Sequence, residues 1–252
     1  MRQAVDLIYP PACGACGCDI IPGRDPVEAV LCPDCAGALE PLGGLVCERC
    51  AAPSGSCHGD RLAGETECST LDADVTSCLD CARLSPKFSR VHSAWQYGGP
   101  LLEAIHAFKY EGRVHLGRPL GKLMVSGFRN APAADLITPV PSHPRRVRRR
   151  GFDHAVCLAA EAGRGLGIPV LPSLLRRARD TAPQARLSVG ARLENPRGAF
   201  EVRGRAARRL AGRRVLLVDD VMTTGATASA CAGELLEAGA VVVEVLTLAR
   251  AA

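Results

Sequence analysis

After position 90 the chain alternates between short apolar runs and longer stretches whose apolar residues recur at helical spacing. The short runs predict buried strands, and the longer stretches predict amphipathic helices. The predicted strands cover residues 90–97, 135–141, 168–175, 213–219 and 240–249. The predicted helices cover residues 99–110, 114–129, 152–167 and 227–239. Apolar strands that alternate with helices predict an α/β fold with a mainly parallel sheet covered on both faces.

The first third of the chain is organised around cysteine. Eleven of the thirteen cysteines lie between Cys13 and Cys81, and eight of them form four CxxC pairs. Two thiolates at this spacing can hold one side of a tetrahedral Zn²⁺, and a second pair completes the site. We therefore predict two structural zinc sites paired in sequence order: Cys13, Cys16, Cys32 and Cys35 in one, and Cys47, Cys50, Cys78 and Cys81 in the other.

Two features of this cysteine pattern remain open. Only eleven residues separate the second CxxC pair from the third, so an interleaved pairing is also possible. Cys18, Cys57 and Cys68 fall outside the CxxC pattern and are interpreted as non-ligands. The polar, Gly- and Ser-rich stretch 51–77 is interpreted as a mobile loop.

The net charge changes sign at the same place in the chain where the cysteine-rich segment ends. Residues 1–86 carry five Arg and thirteen Asp or Glu, a net charge of −8, whereas residues 87–252 carry a net charge of +13. This shift predicts a boundary near residues 85–90, with a double zinc-ribbon domain over 1–87 and an α/β domain over 88–252. The N-terminal residues lack the apolar core of a secretory signal, and no apolar run is long enough to span a membrane, so we expect a cytoplasmic protein.

The stretch VLLVDDVMTTGAT, residues 215–227, carries the clearest chemistry. In parallel sheets, ligands bind beyond the carboxyl ends of the strands, where Asp219 and Asp220 are expected. The turn that follows offers main-chain N–H groups, hydroxyls and a helix N-terminus, which together suit a phosphate. Carboxylates repel a phosphate but accept from sugar hydroxyls or hold a divalent cation. The motif therefore predicts binding of a 5-phosphorylated ribose with Mg²⁺.

This motif resembles the phosphoribosyl-pyrophosphate (PRPP) signature of type I phosphoribosyltransferases. Over nearly its whole length the chain resembles the ComF competence-type family, which combines a double zinc ribbon with a phosphoribosyltransferase domain. The resemblance rests on FKY at 108–110, PVPSHPRRVRRRGF at 139–152 and the Arg- and Gln-containing stretch at 176–200, in that order before the signature. One departure is that the usual RGFNQ reads RGFDH here, with Asp153 and His154.

The resemblance implies a role for each matching residue. Asp219 and Asp220 would hold the ribose 2′- and 3′-hydroxyls and act as the catalytic acids. The 5-phosphate would lie against Thr223, Thr224, Gly225, Ala226 and Thr227. The pyrophosphate would face the loop that follows the predicted strand 135–141, with Arg145, Arg146 and Arg150, and Lys109 is a further candidate phosphate ligand. A mobile hood over the site would carry Arg179, Gln184 and Arg192.

Several functions fit this pattern. The first is transfer of a phosphoribosyl group from PRPP to an acceptor, in a role linked to DNA uptake, with nucleobase salvage as one alternative. The second is binding of single-stranded DNA in natural transformation, favoured by the basic half and opposed by an aromatic content of only 4%. The third is a non-catalytic regulator that senses PRPP. The expected ligands are PRPP, Mg²⁺ and about two Zn²⁺, and the expected partners are single-stranded DNA and the DNA-uptake machinery.

Overall fold

The computed structural model describes most of the chain. The described residues are 11–21, 23, 25–53, 77–127, 133–178 and 198–251. Residues 54–76 of the predicted loop 51–77, with Cys57 and Cys68, lie outside the described residues, as do the predicted hood residues Arg179, Gln184 and Arg192. No helix among the described residues is long and apolar enough to cross a membrane.

A four-stranded parallel sheet forms the centre of the fold, as the hydrophobic pattern predicts. Its strands lie in the order β1-β6-β5-β2, and each neighbouring pair is parallel. Parallel neighbours require crossover connections, which the intervening helices provide. The strands are β1 (Arg90–Gln96), β2 (Leu136–Pro139), β5 (Arg214–Met222) and β6 (Val242–Arg250). A separate antiparallel pair joins β3 (Leu175–Arg177) to β4 (Phe200–Val202).

Helices cover both faces of this sheet. The helices are α1 (Pro33–Gly37), α2 (Leu79–Leu84), α3 (Gly99–Tyr110), α4 (Gly117–Ser126), α5 (Pro144–Arg150), α6 (His154–Leu166), α7 (Gly204–Ala207) and α8 (Ala226–Glu237). On one face, Leu216 and Val218 of β5 share a core with α3, α4 and α6. On the other face, Val215 and Leu217 share a core with α8. The alternation along β5 thus places adjacent residues in two different cores.

Two elements predicted from sequence differ from the structure. The predicted helix 114–129 begins as a 3₁₀ turn at Val114–Leu116 and continues as α4. The predicted strand at 168–175 makes only one isolated bridge to the sheet, Ile137 with Val170, before β3 begins at its end. Pro169 and Pro172 explain this difference, because proline has no N–H to donate to a ladder.

The arginine run 145–150 is helical, although a loop is expected from sequence. Pro144 occupies the first turn of α5, where its missing N–H costs nothing. The His143 Nδ1 atom accepts from the Arg145 N–H at 3.2 Å and so caps the helix start. Gly151 ends the helix at φ 82°, a left-handed conformation that glycine adopts without strain. The expected anion loop is therefore a rigid helix of seven residues.

The cysteine-rich segment packs on the α/β half at both faces of the sheet. Cys13 and Cys32 lie in the core of α3 and α4, whereas Cys47 and Cys78 lie in the core of α8. Residues 40–42 between them run antiparallel to the edge strand β1, with Leu42 N–H donating to Ala94 O at 2.8 Å. The predicted division at 87/88 stays a prediction, and the two parts share their hydrophobic cores.

Candidate functional site

Asp219 and Asp220 lie in the last four residues of β5, which continues to Met222. The expected strand end at 219 is therefore too early, because β6 keeps pairing with β5 as far as Met222 and Arg250. Consecutive residues of a strand point to opposite faces of the sheet. The acid pair thus starts toward opposite faces, yet one carboxylate oxygen of each lies within 4.8 Å of the other and of a ring nitrogen of His154, a spacing at which the three side chains could hold one cation.

Asp220 is buried on the α3–α6 face and is surrounded by cationic side chains. Its side chain is 7% exposed, and its Oδ2 atom contacts the Lys109 ammonium and lies 3.1 Å from His154 Nε2. Arg150 Nη1 donates to His154 Nδ1 at 2.9 Å. Because arginine only donates, Nδ1 is the acceptor in this contact and Nε2–H is left to donate to Asp220. The neutral imidazole therefore connects Arg150 to Asp220.

The charges of Lys109 and Asp220 stabilise each other against burial. Burial alone opposes ionisation of Asp220, but Lys109 and then His154 outweigh it and hold the pKa of Asp220 below its usual value. Burial also opposes the charge of Lys109, but Asp220 outweighs it and raises the pKa of Lys109. Both groups are consequently charged near neutral pH. Lys109, expected to hold a phosphate, contacts a carboxylate in this structure.

Asp219 is half-buried on the opposite face, where a small cleft of about 30 Å³ opens beside it. Burial raises the pKa of Asp219 to about 7, and the nearby charge of Asp220 adds to the rise. The cleft is also lined by Thr223, Gly225, Thr227 and Thr247. Thr247 is the register partner of Asp219 on β6, and its buried hydroxyl has no hydrogen-bond partner among the described residues. The sequence did not indicate that Thr247 lines the cleft beside Asp219.

Residues 223–225 form the turn between β5 and α8, and Ala226 and Thr227, which the prediction included in the turn, are the first residues of α8. Gly225 has φ 77° and immediately precedes the first residue of α8. A Cβ atom there would lie 3.3 Å from the Phe88 ring and 3.4 Å from the Met222 sulfur. Both the backbone conformation and the close packing therefore require glycine. The turn sets the Thr223 and Thr227 side chains in the cleft beside Asp219.

The predicted pyrophosphate arginines and the two residues that differ from the usual RGFNQ, Asp153 and His154, make different contacts. Arg150 reaches the Asp220 group through His154, whereas Arg145 and Arg146 lie in the first turn of α5, and their predicted role stays a prediction. Asp153 caps α6 by accepting from the Ala155 N–H at 3.1 Å, and it also accepts from the Ser142 hydroxyl at 3.1 Å. Asp153 is thus engaged in structural bonds. The sequence marks His154 only as part of the RGFDH departure, and the fold shows its contact with Asp220.

The first cysteine cluster contains one thiol more than expected. Cys13, Cys16, Cys18 and Cys32 have sulfur atoms within 4.8 Å of one another. Burial opposes ionisation of Cys13, but main-chain N–H donors outweigh it and lower its pKa to about 6. The predicted ligand Cys35 also interacts with Cys32, Cys16 and Cys13. Cys18, which lies outside the CxxC pattern, therefore joins the thiols expected at this site.

The second cluster brings together the third and fourth CxxC pairs, and all four of its cysteines are buried. The Cys50 and Cys78 sulfurs are 3.6 Å apart, and those of Cys47 and Cys81 are 3.9 Å apart. Zn–S bonds of about 2.3 Å place sulfurs about 3.8 Å apart at the corners of a tetrahedron. Both distances fit that value, and the grouping follows sequence order rather than the interleaved alternative.

Comparison with known proteins gives consistent similarities. The chain is 31% identical over 189 residues to competence protein F of Haemophilus influenzae, covering 73% of this chain and 82% of the relative. It is 30% identical over 226 residues to the DNA utilization protein YhgH of Salmonella typhi, covering 87% of this chain and 90% of the relative. It is 38% identical over 113 residues to an adenine phosphoribosyltransferase of Nocardia farcinica, covering 45% and 51%. No family model matches the chain.

Solved structures give weaker similarities. The chain aligns with glutamine PRPP amidotransferase of B. subtilis at 25% identity and a TM-score of 0.35, covering 51% of this chain and 25% of that one. It aligns with adenine phosphoribosyltransferase of Thermoanaerobacter pseudethanolicus at 19% identity and a TM-score of 0.34, covering 60% and 84%.

Proposed function

The chain belongs to the family of competence protein F and YhgH, and from this we propose that it binds PRPP with Mg²⁺ beside Asp219 and takes part in the use of incoming DNA. The observation that carries the PRPP proposal is the half-buried Asp219 carboxylate facing the 223–227 turn across one small cleft. The DNA part rests on the names of the two relatives. The similarity to an adenine phosphoribosyltransferase supports the PRPP part.

The two sides of the cleft suit opposite ends of a phosphorylated ribose. Main-chain N–H groups and the Thr223 and Thr227 hydroxyls would donate to the 5-phosphate. Asp219 would accept from a ribose hydroxyl, and the unpartnered Thr247 hydroxyl lies within the same cleft. Asp220, fixed on the other face by Lys109 and His154, would add negative charge beneath the sugar. Both carboxylates would favour the positive charge that develops when the bond to pyrophosphate breaks.

Mg²⁺ fits Asp219 better than Asp220, although one carboxylate oxygen of each lies within 4.8 Å of the other. Asp219 offers carboxylate oxygens beside an unpartnered hydroxyl, and Mg²⁺ prefers oxygen ligands and retains waters. Asp220 is less suited, because the Lys109 ammonium already contacts its carboxylate. We therefore assign Mg²⁺ to the Asp219 side, where it would neutralise the leaving pyrophosphate.

Equilibrium dialysis tests the site directly. We expect labelled PRPP to bind when Mg²⁺ is present and to be displaced by ribose 5-phosphate, because the 223–227 turn would hold the 5-phosphate of both. Glucose 6-phosphate is the matched control, since it has a phosphate but no ribose ring, and it should not displace PRPP. Equal displacement by both sugars would indicate a general anion site. Pyrophosphate release with a panel of nucleobases then tests turnover and the salvage alternative.

We also propose that each cysteine cluster holds one structural Zn²⁺. The second cluster has four buried thiols at sulfur separations that fit a tetrahedral ion. In the first, Cys18 completes a group of four with Cys13, Cys16 and Cys32, while the predicted ligand Cys35 interacts with the other three, so Cys18 and Cys35 compete for the fourth ligand place. Full sulfur ligation leaves no open position for a substrate, so both ions would be structural.

Binding of single-stranded DNA is a second candidate, and one observation favours it. The Tyr110 side chain is 60% exposed, and the Arg150 guanidinium lies 4.7 Å from the centre of its ring. An aromatic ring beside a cation is a platform on which a nucleobase can stack. The overall scarcity of aromatic residues thus does not extend to this position next to the candidate site.

Fluorescence anisotropy with an oligothymidine tests this second function. Replacing Tyr110 by Ala should weaken binding by about five- to a hundredfold, because stacking contributes roughly 1–3 kcal/mol per base. Replacing Arg145, Arg146 and Arg148 by Ala should flatten the salt dependence, which has a slope of about −0.7 per phosphate contact. PRPP should compete with DNA if the two share Arg150. No binding at low salt would remove this function and leave the PRPP proposal intact.

A further inference from the structure

The Arg250 guanidinium is buried between the second cysteine cluster and the start of the 223–227 turn. The residue ends β6 and is 4% exposed. Its Nε atom donates to the Cys50 carbonyl at 2.9 Å, and its Nη1 atom donates to the Met222 carbonyl at 3.2 Å. It also contacts the Ala251 carbonyl. One side chain therefore bonds both to a thiol-bearing residue of the cluster and to the residue just before the turn.

A buried charge of this kind needs a compensating charge nearby. Among the described residues, Arg250 donates to the main-chain carbonyls of Cys50, Met222 and Ala251, which carry no net charge. Removing an unpaired charge from water is costly. Four thiolates around one Zn²⁺ carry a net charge of about −2, and Cys50 is one of these thiols. The occupied cluster would therefore supply the anion that explains a buried arginine at this position.

A second set of contacts joins the same cluster to the turn. Phe88 lies in the core that contains Cys47 and Cys81, and its ring packs against Gly225. Arg49, next to Cys50, donates from Nε to the Phe88 carbonyl at 3.3 Å. The first cluster has no such connection in the described part of the chain, since Arg113 bonds to the Cys13 carbonyl on the other face of the sheet.

We propose that Arg250 is a positioning residue that couples metal occupancy of the second cysteine cluster to the geometry of residues 222–227. With Zn²⁺ bound, Arg250 is held by charge and fixes the Met222 carbonyl, and the turn keeps the shape that a phosphate needs. When the ion is lost, four thiols at these distances separate, Cys50 moves, and the turn loosens. The consequence for PRPP affinity rests on the proposed function, whereas the coupling itself does not.

The test compares Arg250→Met with Arg113→Met in the full-length, zinc-loaded protein. Arg113 is the matched control, because it bonds to a carbonyl of the first cluster and not to the turn. In Arg250→Met we expect hydrogen exchange at 222–228 to accelerate at least tenfold without ligand, and PRPP affinity to fall about tenfold. Arg250→Lys should recover part of both effects, since it retains the charge. Arg113→Met should change neither.

Zinc depletion provides a second route if Arg250→Met does not fold. Removing Zn²⁺ by Cys78→Ser should accelerate exchange at 222–228 more than Cys16→Ser does, because loss of either ion destabilises the whole chain but Arg250 bonds the turn to the second cluster alone among the described residues. Unchanged exchange at 222–228 in Arg250→Met, or in Cys78→Ser that has lost its zinc, would overturn the coupling. Failure of the wild-type protein to bind PRPP would instead overturn the proposed function, and the exchange data would still decide the coupling.

Discussion

At the scale of single residues, the pair formed by Lys109 and Asp220 determines the charge state of the site. Both side chains are at least 85% buried, and their charges are in contact. Removing one partner of a buried pair leaves the other uncompensated, which costs about 3–5 kcal/mol. We expect Lys109→Met to lower the free energy of unfolding by about 3 kcal/mol, because His154 still donates to Asp220.

A double-mutant cycle checks this value by urea unfolding at pH 7. Lys109→Met combined with Asp220→Asn should cost less than the sum of the single changes, because the two charges disappear together. Strict additivity would contradict a direct interaction between the two side chains.

The Asp219 carboxyl makes stability depend on pH in the opposite sense from an ordinary ion-paired acid. Its pKa is raised from 3.8 to about 7 by burial, so the folded state holds a proton that the unfolded state has already lost. Its contribution to stability is therefore full below pH 3.8 and is lost as pH rises through 7. Because the residue is half-buried, we expect a loss of only about 1–2 kcal/mol between pH 4 and 8.

Asp219→Asn isolates this effect. The difference in unfolding free energy between the variant and the wild type should grow in favour of the variant from pH 4 to pH 8, and the comparison cancels the titration of the cysteines. Asp220→Asn is the matched control: the pKa of Asp220 is lowered, so its contribution is present above about 3.8 and is lost only in acid. A difference for Asp219→Asn that does not vary with pH would contradict the raised pKa.

The sequence predicts the positions of some site residues and not of others, for physical reasons. Asp219, Gly225 and Thr227 follow one another along a single strand–turn–helix unit, so local spacing places them. His154 and Thr247 come from a different helix and strand, and only the packed sheet brings them to the acid pair. Cys18 has no spacing signal either, because a reversal at Gly17 (φ 78°) carries its thiol back to Cys16.

At the scale of elements, the turn between β5 and α8 depends on Gly225. A side chain there must adopt φ 77° and also displace the Phe88 ring. We expect Gly225→Ala to cost about 1–3 kcal/mol of stability and to abolish measurable PRPP binding, because the turn must shift. Gly212→Ala is the matched control, since φ is 69° and no atom crowds the added methyl group. It should cost about 1 kcal/mol in thermal unfolding and leave PRPP binding unchanged.

The hydrophobic pattern predicts the strands correctly where both faces of a strand are buried. Residues 215–218 are all apolar, and residues 242–249 are apolar except for Glu244 and Thr247, which suits parallel strands buried on both faces. The hydrophobic pattern gives a wrong prediction at 168–175, where two prolines prevent strand pairing. It also does not indicate the capped helix at 145–150, because most of its residues are polar. Composition alone does not detect Pro144 and Gly151 as helix signals, although both occupy their preferred positions.

At the scale of the whole molecule, the two cysteine clusters pack on opposite faces of the sheet. Because each shares a core with the α/β half, metal loss should destabilise the entire chain. We expect Cys78→Ser to release one Zn²⁺ per chain and to lower the midpoint of thermal unfolding by more than 5 °C. Trp95, the chain's single tryptophan, lies on β1 and reports unfolding of the α/β half by fluorescence.

Cys157→Ser is the matched control for this experiment, because its thiol lies on α6 and outside both clusters. It should retain two Zn²⁺ and shift the midpoint little. An unchanged Trp95 transition in zinc-depleted Cys78→Ser would mean that the cysteine segment folds apart from the sheet. That outcome would favour the separate domain at 1–87 expected from charge and cysteine content, neither of which reveals long-range packing.

The central claim is that the acid pair and the 223–227 turn form one PRPP site, and calorimetry tests it most directly. Mg²⁺–PRPP is titrated into the wild-type protein and into Asp219→Ala, Asp220→Ala and the double variant. The account predicts saturable wild-type binding that Asp219→Ala weakens by about ten- to a hundredfold, since a hydrogen bond to a charged acceptor contributes roughly 1.5–3 kcal/mol. Asp220→Ala should also weaken binding, because it removes the negative charge beneath the sugar and the partner of Lys109. Equal affinity in the wild type and the folded double variant would contradict it.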